Sequence, residues 1–441
     1  MISSVSVESS AHPSLNTEQS HALEVFKSRK NMLLTGPAGT GKSFTLKAIL
    51  NWARDSEGFN VGITASTGSA AFLIGGRTLH SFMGIGLGKG TVQNLCVALK
   101  KRRDVVKCLK ALHILVIEEI SMIDAELFDK ISDLLGLIRG NDKPFGGVQV
   151  LLLGDFLQLK PPKGELCFKG EAWASLELEV VELKMLMRQK DDEEFKAILD
   201  EVRRGKCSNE TFKKLKALDG TSGGVSGSGE GAGIGAGIGA GIGVSGGRIK
   251  PTVLFPKNVD VDEINNKMFD SLIKKGATRK VFSAGYTTDT AKMWGSSCKI
   301  PEKLELCIGA QVVVTWNICH DTGIINGTRG RVKEFPATGG VTLELTNGRD
   351  VFIAPLTVKN EDSPKLAISF VPLKLAWALT IHKSQGMTLD SMILSLGDVF
   401  EYGQAYTALS RARNLQSVTI LSIARDSFRA DPDALAFLGD A

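Results

Sequence analysis

Eight residues constrain this 441-residue chain more than any others: Gly36, Pro37, Ala38, Gly39, Thr40, Gly41, Lys42 and Ser43. They follow the apolar run NMLLT (31–35), which reads as a short buried strand. They open the stretch from Lys42 to Arg54, which reads as a helix. A strand that turns through glycines into a helix is the setting of a phosphate-binding loop. Glycines let successive backbone N–H groups curl around phosphate oxygens at a helix N-terminus, where the helix dipole favours anions. In such a loop Lys42 reaches the β- and γ-phosphates of a nucleotide such as ATP, and Ser43 supplies a hydroxyl to Mg²⁺. A plain glycine-rich turn would not need this strand before it and this helix after it.

The neighbouring sequence repeats the alternation. FNVGIT (59–64), LHILVI (112–117) and VQVLLL (148–153) read as strands, and Asp124 to Arg139 reads as a helix capped by Asp124. Strands alternating with helices imply a parallel sheet covered on both faces. HILVIEE (113–119) ends in Glu118 and Glu119, at the end of the strand where parallel sheets bind ligands. One carboxylate can hold Mg²⁺ while the next orients water, although two acids at a strand end also suit a solvated edge. LLLGDFLQL (151–159) ends in Asp155 and Gln158, and an amide there can sense a γ-phosphate or simply cap a turn. Arg188 and Arg411 lie beyond this first unit. Arginines placed across a cleft stabilise charge in phosphoryl transfer, whereas isolated surface arginines are merely solvated.

Composition fixes the outer bounds. The length suggests two to four domains, and 43% hydrophobic with 23% charged residues is a globular balance. No apolar stretch approaches the roughly 20 residues of a membrane span. The first residues, MISSVSVESSAHPS, lack the pattern of a secretory or transit leader, and seven scattered cysteines without a CxxC pair read as reduced intracellular thiols. The net charge of +5 permits a nucleic-acid partner without requiring one. A local basic run, Lys100-Lys101-Arg102-Arg103 with Lys107 and Lys110, suits phosphate binding, a solvated helix face or a nuclear-import signal.

Residues 220–247 carry 14 glycines in 28 positions and read as a flexible loop with an end-to-end distance of about 30 Å. Beyond it PTVLF (251–255), with a helix near Asp260 to Lys275, starts a second α/β unit. Leu304 to Ile353 then reads as short strands with turns at Asn326-Gly327 and Asn347-Gly348. Alternating α/β character resumes at Leu373. The expected organisation is a first α/β domain (1–180), a second (181–300 and 371–441) and a β insertion (301–370).

Several blocks together resemble a known family. ITASTGSAAFLIGGRTLHSFMGIGLG (63–88), LVIEEISMIDAELFDKI (115–131), PFGGVQVLLLGDFLQL (144–159), PLKLAWALTIHKSQGMTLD (372–390) and GQAYTALSRAR (403–413) are similar to the PIF (petite integration frequency) helicases, RecD-like enzymes of superfamily 1B. The likeness runs from Leu15 to Ser422 outside the glycine insert. It implies two RecA-like P-loop domains, a small β-barrel inserted in the second, and an ATP- and Mg²⁺-dependent 5′→3′ DNA helicase. It further implies a monomer acting on single-stranded DNA and tailed or structured duplexes in genome maintenance, in the nucleus or mitochondrion of a eukaryote. By motif, Gln19 resembles the adenine-reading glutamine. Gly36 to Ser43 form the loop, Ser43 and Glu118 hold the metal, and Glu119 is the base. Gln158 is the γ-phosphate sensor, with Arg188 and Arg411 as the cleft arginines. Ser66, Thr67, His80 and Ser81 resemble DNA contacts of the first domain, and Asn258, His382, Lys383 and Ser384 those of the second. The sequence departs from the family pattern at Glu118, where the family has Asp, at Lys160 in QLKPPK, and in the glycine insert. An RNA or hybrid translocase and a degenerate ATPase that only grips single strands remain open beside the helicase reading. A P-loop kinase or GTPase would not need arginines from a second α/β domain.

Overall fold

The computed structural model describes residues 15–439 except 190, 220–248, 298–299, 317, 319–323, 325–327, 360–365 and 390. The glycine-rich insert and the Asn326-Gly327 turn therefore lie outside the described residues.

Six strands build the first sheet: β1 (Met32–Thr35), β2 (Val61–Ala65), β3 (Arg77–Thr78), β4 (Ile114–Glu118), β5 (Gln149–Leu153) and β6 (Glu179–Glu182). Their order is β3-β2-β4-β5-β1-β6, all parallel. The middles of the central strands β1, β4 and β5 are apolar and buried because helices cover both faces. Leu33, Leu115, Ile117 and Leu152 pack with Phe128, Ile131 and Leu135 of the helix Ala125–Arg139. Met32, Leu34, Val116, Leu151 and Leu153 face Phe26, Leu46 and Ile49 on the opposite side. The two sets alternate along each strand, as side chains on a pleated strand must. Asp124 caps the helix by accepting from the Leu127 N–H, as its sequence position predicts. The expected boundary at 180 falls inside β6, which pairs with β1 in the first sheet.

The second sheet begins with β7 (Thr252–Phe255) and is completed only after a long β-rich excursion. That excursion contains β8 (Arg279–Ser283), β9 (Gly285–Tyr286), β10 (Lys303–Cys307), β11 (Gln311–Val314), β12 (Arg329–Glu334), β13 (Val341–Leu345), β14 (Asp350–Ile353), β15 (Leu356–Lys359), β16 (Ala367–Phe370) and β17 (Leu373–Leu375). It forms an antiparallel sheet in the order β14-β13-β12-β11-β17, a β10-β8 pair and a β15-β16-β9 sheet. Among the described residues the five-stranded sheet is open, with β14 and β17 as its edges, so the expected closed barrel is not seen. Its buried face, with Val312, Val332, Leu343 and Ile353, shares one core with Val253, Phe255, Ile264 and Trp377 of the second α/β unit. The excursion starts at Arg279 and not at residue 301. Its last strand, β17, pairs antiparallel with β11, so α/β character resumes at Ala378 and not at Leu373. The strands β18 (Ala378–Thr380), β19 (Met392–Leu396) and β20 (Val418–Ile423) then close a parallel sheet ordered β18-β7-β19-β20.

The chain ends by crossing back. The helix Pro432–Leu438, expected with the second domain, packs on the first: Phe437 stacks on Phe168 with ring centroids 4.4 Å apart, and Ala434 is buried in the first core. Lys160, the apparent insertion in QLKPPK, pairs with Asp431 at 3.1 Å and lies over the Tyr402 ring, so it fastens this return. Among the described residues no helix is long and apolar enough to cross a membrane.

Candidate functional site

The phosphate loop sits where β1 ends and the helix Lys42–Asn51 begins. Gly36 has φ +135° and its Cα lies against the β6 exit; a Cβ there would come within 2.1 Å of the Leu183 carbonyl oxygen. Only glycine lets the loop turn so close to its neighbour. Lys42 Nζ donates to the carbonyls of Gly36 and Pro37 at 2.7 and 3.0 Å, which holds the ammonium across the loop. Burial pushes that ammonium below its ordinary pKa, while the carboxylates of Asp155, Glu119 and Glu118 pull it back up. Gln19 is buried against the loop: its Oε1 accepts from the Asn16 N–H and its Nε2 donates to the Thr40 carbonyl at 3.5 Å.

The acids stand at the end of β4, Glu118 as its last residue and Glu119 just beyond it. Glu118 Oε1 lies 3.5 Å from the Ser43 hydroxyl, and its buried Oε2 has no hydrogen-bond partner among the described residues. Burial and the adjacent Glu119 raise the Glu118 pKa well above the carboxylate range, against the pull of Lys42 and Ser43. A hydroxyl, an orphaned carboxylate oxygen and a second acid form an oxygen donor set that suits a hard divalent cation such as Mg²⁺. Glu119 has φ +55°, ψ +49°, a conformation that costs a non-glycine residue about 1–2 kcal/mol and aims its carboxylate out of the strand direction. It accepts a hydrogen bond from Gln385 Nε2 at 3.0 Å. Gln385 belongs to the second unit, so the acid is held from across the molecule.

The second unit enters the site more deeply through the helix Gln404–Leu409 and the residues after it. Arg411 is 2% exposed; its Nη2 donates to Gln158 Oε1 at 3.1 Å and to Ser410 Oγ at 2.8 Å, and its Nε donates to the Thr407 carbonyl. Arg188 Nη1 donates to the Ser410 carbonyl at 2.8 Å. Burial, helped by the nearby Arg411, lowers the Arg188 pKa to about 10. Two guanidinium groups crowded into one space favour an anion between them. A cavity of about 370 Å³ joins these groups to the loop; Lys42, Ser43, Glu118, Glu119, Gln158, Arg188 and Arg411 all line it. The nucleotide-site residues singled out in the sequence are thus brought together, with Gln19 just behind the loop.

Sequence reasoning missed the brace beneath them. The Tyr406 hydroxyl accepts from the Ala38 N–H of the loop at 2.9 Å and donates to Asp155 at 3.2 Å. Asp155, fully buried, also pairs with buried Arg203 at 3.1 Å. Burial alone would raise the Asp155 pKa, but Arg203 and Lys42 pull it below the ordinary value. Gly403 makes the close approach possible: at φ +70°, a Cβ there would meet the Gln158 carbonyl at 2.3 Å. The sequence showed Asp155 only as a polar strand end, and Gln385 and Tyr406 only as members of blocks quoted for other residues.

The expected nucleic-acid residues follow the carboxyl ends of their strands. Ser66 and Thr67 follow β2, and Thr67 Oγ1 accepts from the Ala70 N–H. His80 and Ser81 lie in the short helix after β3; burial lowers the His80 pKa, with Asp124 opposing, and Ser81 is exposed. Asn258 is exposed at the start of the helix after β7, and Lys383 is exposed after β18. His382 Nε2 lies 2.8 Å from Glu401. Ser384 is buried and donates to the Ile381 carbonyl, so its hydroxyl is already committed inside the fold.

Known proteins share this sequence pattern and fold. Residues 14–213 match the family model described as PIF1-like helicase. The ATP-dependent DNA helicase PIF1 of Homo sapiens is 37% identical over 97% of this chain, which spans 64% of that protein's length. The crystal structure of Pif1 helicase from Candida albicans is 30% identical and superposes with a TM-score of 0.84, covering 97% of this chain and 100% of that one. Pif1 helicase from Bacteroides in complex with ADP-AlF3 and single-stranded DNA is 26% identical with a TM-score of 0.72, each chain covered to 97%. The chain belongs to the PIF1-like helicase family.

Proposed function

We propose that this chain is an ATP-driven DNA helicase that translocates 5′→3′ on single-stranded DNA. One observation carries the reading: Arg411 of the second unit bonds Gln158 of the first inside the cavity that the phosphate loop lines. A nucleotide site assembled from both halves lets hydrolysis open and close the cleft, and so alternate the grip of two RecA-like domains on a strand. Lys42 and the loop N–H groups bind the phosphates. Glu119 takes the proton of the attacking water, and Arg188 and Arg411 face the charge that develops on the transferred phosphoryl group. Ser43 and Glu118 would hold Mg²⁺, which would neutralise phosphate charge. The open β module stands for the family's small barrel. The strand crosses the carboxyl ends of both sheets, past Ser66, Thr67, His80 and Ser81, then Asn258, His382 and Lys383. The Bacteroides relative bound to single-stranded DNA and ADP-AlF3 supports both ligands.

The test is ATP turnover with and without single-stranded DNA, for wild type and Glu119→Gln, followed by unwinding of 5′- and 3′-tailed duplexes. Wild type should be DNA-stimulated and open only the 5′-tailed substrate. Glu119→Gln should bind both ligands but turn over about 10²–10⁴-fold more slowly. An inert wild type, or equal unwinding of both tails, overturns the activity or its polarity respectively.

A further inference from the structure

The basic run at 100–110 lies outside the nucleotide site. It holds six Lys and Arg residues against one acid, Asp104, a net of +5 that equals the net charge of the whole chain. The structure folds it as the end of the helix Val92–Lys100, a turn, and the helix Arg103–Lys110. Lys100, Lys101, Arg103, Lys107 and Lys110 are all exposed, and none pairs with a carboxylate among the described residues. Such a concentration of unpaired cations is self-repelling and gains most from a polyanion.

The surface is shaped as well as charged. On one side of the helix Arg103–Lys110 a groove of about 1200 Å³ runs along the edge of β2, where β3 pairs only with Thr64 and Ala65. Arg77 and Ser81 line it at the carboxyl end of the strands, and Arg54, Lys101, Arg102 and Cys108 line it beyond. On the other side, a hollow of about 550 Å³ is lined by Lys100, Arg103, Lys107 and Lys110. The spacings of four and three residues put Arg103, Lys107 and Lys110 on one helix face, over a rise of about 10 Å. That length accommodates about three successive phosphates of one DNA strand.

The far end of this surface cannot belong to the track across the strand ends. Lys110 stands just before β4, at the opposite pole from Glu118, and a strand of five residues is about 16 Å long. Its chemistry differs too. Between Thr91 and Ala111 there is no aromatic residue, and Phe82, which lines the groove, is half-buried with its ring against Gly62 and the first core, where no unpaired base can stack on it. Single-strand sites combine cations with aromatic platforms, whereas cations alone read a phosphate backbone without sequence preference.

The geometry points to a second nucleic-acid site, in which the groove beside β2 and the helix Arg103–Lys110 hold the phosphate backbone of duplex DNA. The groove begins at Ser81, so the duplex arm of a substrate lies against the first domain as its unpaired strand enters the track. The choice of DNA rests on the helicase reading, but the cation surface does not depend on the ATP site.

The test uses the full chain and a blunt duplex without tails. Site-resolved alkylation of Cys108, an exposed thiol in the groove, should slow when the duplex is added without nucleotide. The variant Lys100→Gln/Arg103→Gln/Lys107→Gln/Lys110→Gln should bind the blunt duplex at least about tenfold more weakly at low salt. Its plot of log K against log[salt] should be shallower by about 2–4, at roughly 0.9 per lost phosphate contact. Its ATPase stimulated by a short oligothymidylate should match wild type. Unchanged duplex affinity with unprotected Cys108 overturns the site. Protection by polyglutamate but not by duplex overturns it in favour of an acidic protein partner. Loss of oligothymidylate stimulation in wild type, with Cys108 still protected by duplex, sinks the motor reading and leaves this site standing.

Discussion

In both α/β units the first strand is a fully buried run of four residues leading into a helix, yet only one of them can hold phosphate by its backbone. Between β1 and the helix Lys42–Asn51 lie six residues, 36–41, three of them glycines at positive φ. Between β7 and the helix Asn258–Lys274 lie two, Pro256 and Lys257, with Lys257 in extended conformation at the helix start. Two residues, one without an N–H, cannot wrap an anion. The second unit contributes side chains instead: Arg411 on Gln158, Gln385 on Glu119 and Tyr406 on the loop at Ala38. One half cradles and the other reads the cradle. That division makes the site complete only when both halves meet.

Removing the deepest reader should break the division most severely. Arg411→Ala should lower DNA-stimulated ATP turnover by about 10³–10⁵-fold, the range for arginines that stabilise phosphoryl-transfer charge. Arg411→Lys should recover little, because an ammonium cannot reproduce the planar fork that meets Gln158 and the phosphate. Turnover within about tenfold of wild type would reduce the second unit to a buttress.

Next in size is the buried pair beneath the loop. Arg203→Met leaves Asp155 without its strongest partner and should cost about 3–5 kcal/mol of stability, read by urea unfolding. The pH dependence gives the sign. In wild type the folded pKa of Asp155 lies below the ordinary 3.8, so its contribution is present above that value and lost only as pH falls through the folded pKa. In the variant burial prevails and the folded pKa rises above the ordinary value. Stability is then lost as pH rises through it, and the deficit should be larger near pH 8 than near pH 5. Equal deficits would mean that Lys42 alone keeps Asp155 ionised.

These two cases also mark what could be seen in the sequence. The loop, the acids at the end of β4 and the helix cap at Asp124 were legible because each is local: a few residues fix their own backbone and charge. The parallel sheets were legible from unbroken apolar runs such as ILVI and VLLL, which only two-sided burial explains. Arg203 was not legible, since nothing near it in sequence shows that it meets Asp155, 48 positions away. Nothing around Tyr406 in the sequence shows that its hydroxyl meets Ala38, 368 positions away. The return of Phe437 to Phe168 and the pairing of β17 with β11 were hidden for the same reason, as long-range partners of short, ordinary segments. The departure at Lys160 acquires a role only through Asp431 and Tyr402.

Tyr406→Phe sharpens the comparison more gently. It keeps the buried ring and removes one hydroxyl, leaving the Ala38 N–H without its acceptor and Asp155 without one donor. The expected cost is about 1–3 kcal/mol in unfolding stability. The same variant should weaken nucleotide binding, measured by titration calorimetry, since the loop loses its tether to the second unit. A stability loss with unchanged nucleotide affinity would make the hydroxyl purely structural.

The smallest effect is expected at Glu118, where the cradle departs from the family pattern. Aspartate would draw the carboxylate back by roughly 1.3 Å along the side chain. The Glu118 carboxylate is not tightly committed: Ser43 stands at 3.5 Å from Oε1, beyond the usual hydrogen-bond range, and Oε2 has no partner among the described residues. Mg²⁺ commonly keeps several waters, and a carboxylate that acts through one of them tolerates a change of reach better than a direct ligand does. Glu118→Asp should therefore change DNA-stimulated turnover by no more than about tenfold, or 1.4 kcal/mol. Glu118→Ala removes the carboxyl group and should fall far below both, with a raised Mg²⁺ requirement. If wild type is inert and Glu118→Asp restores hydrolysis, the extra methylene has disabled the cradle and the chain only grips DNA. If Glu118→Ala is as active as wild type, the first unit holds its metal without this acid, and the carboxylate that matters after β4 is Glu119 alone.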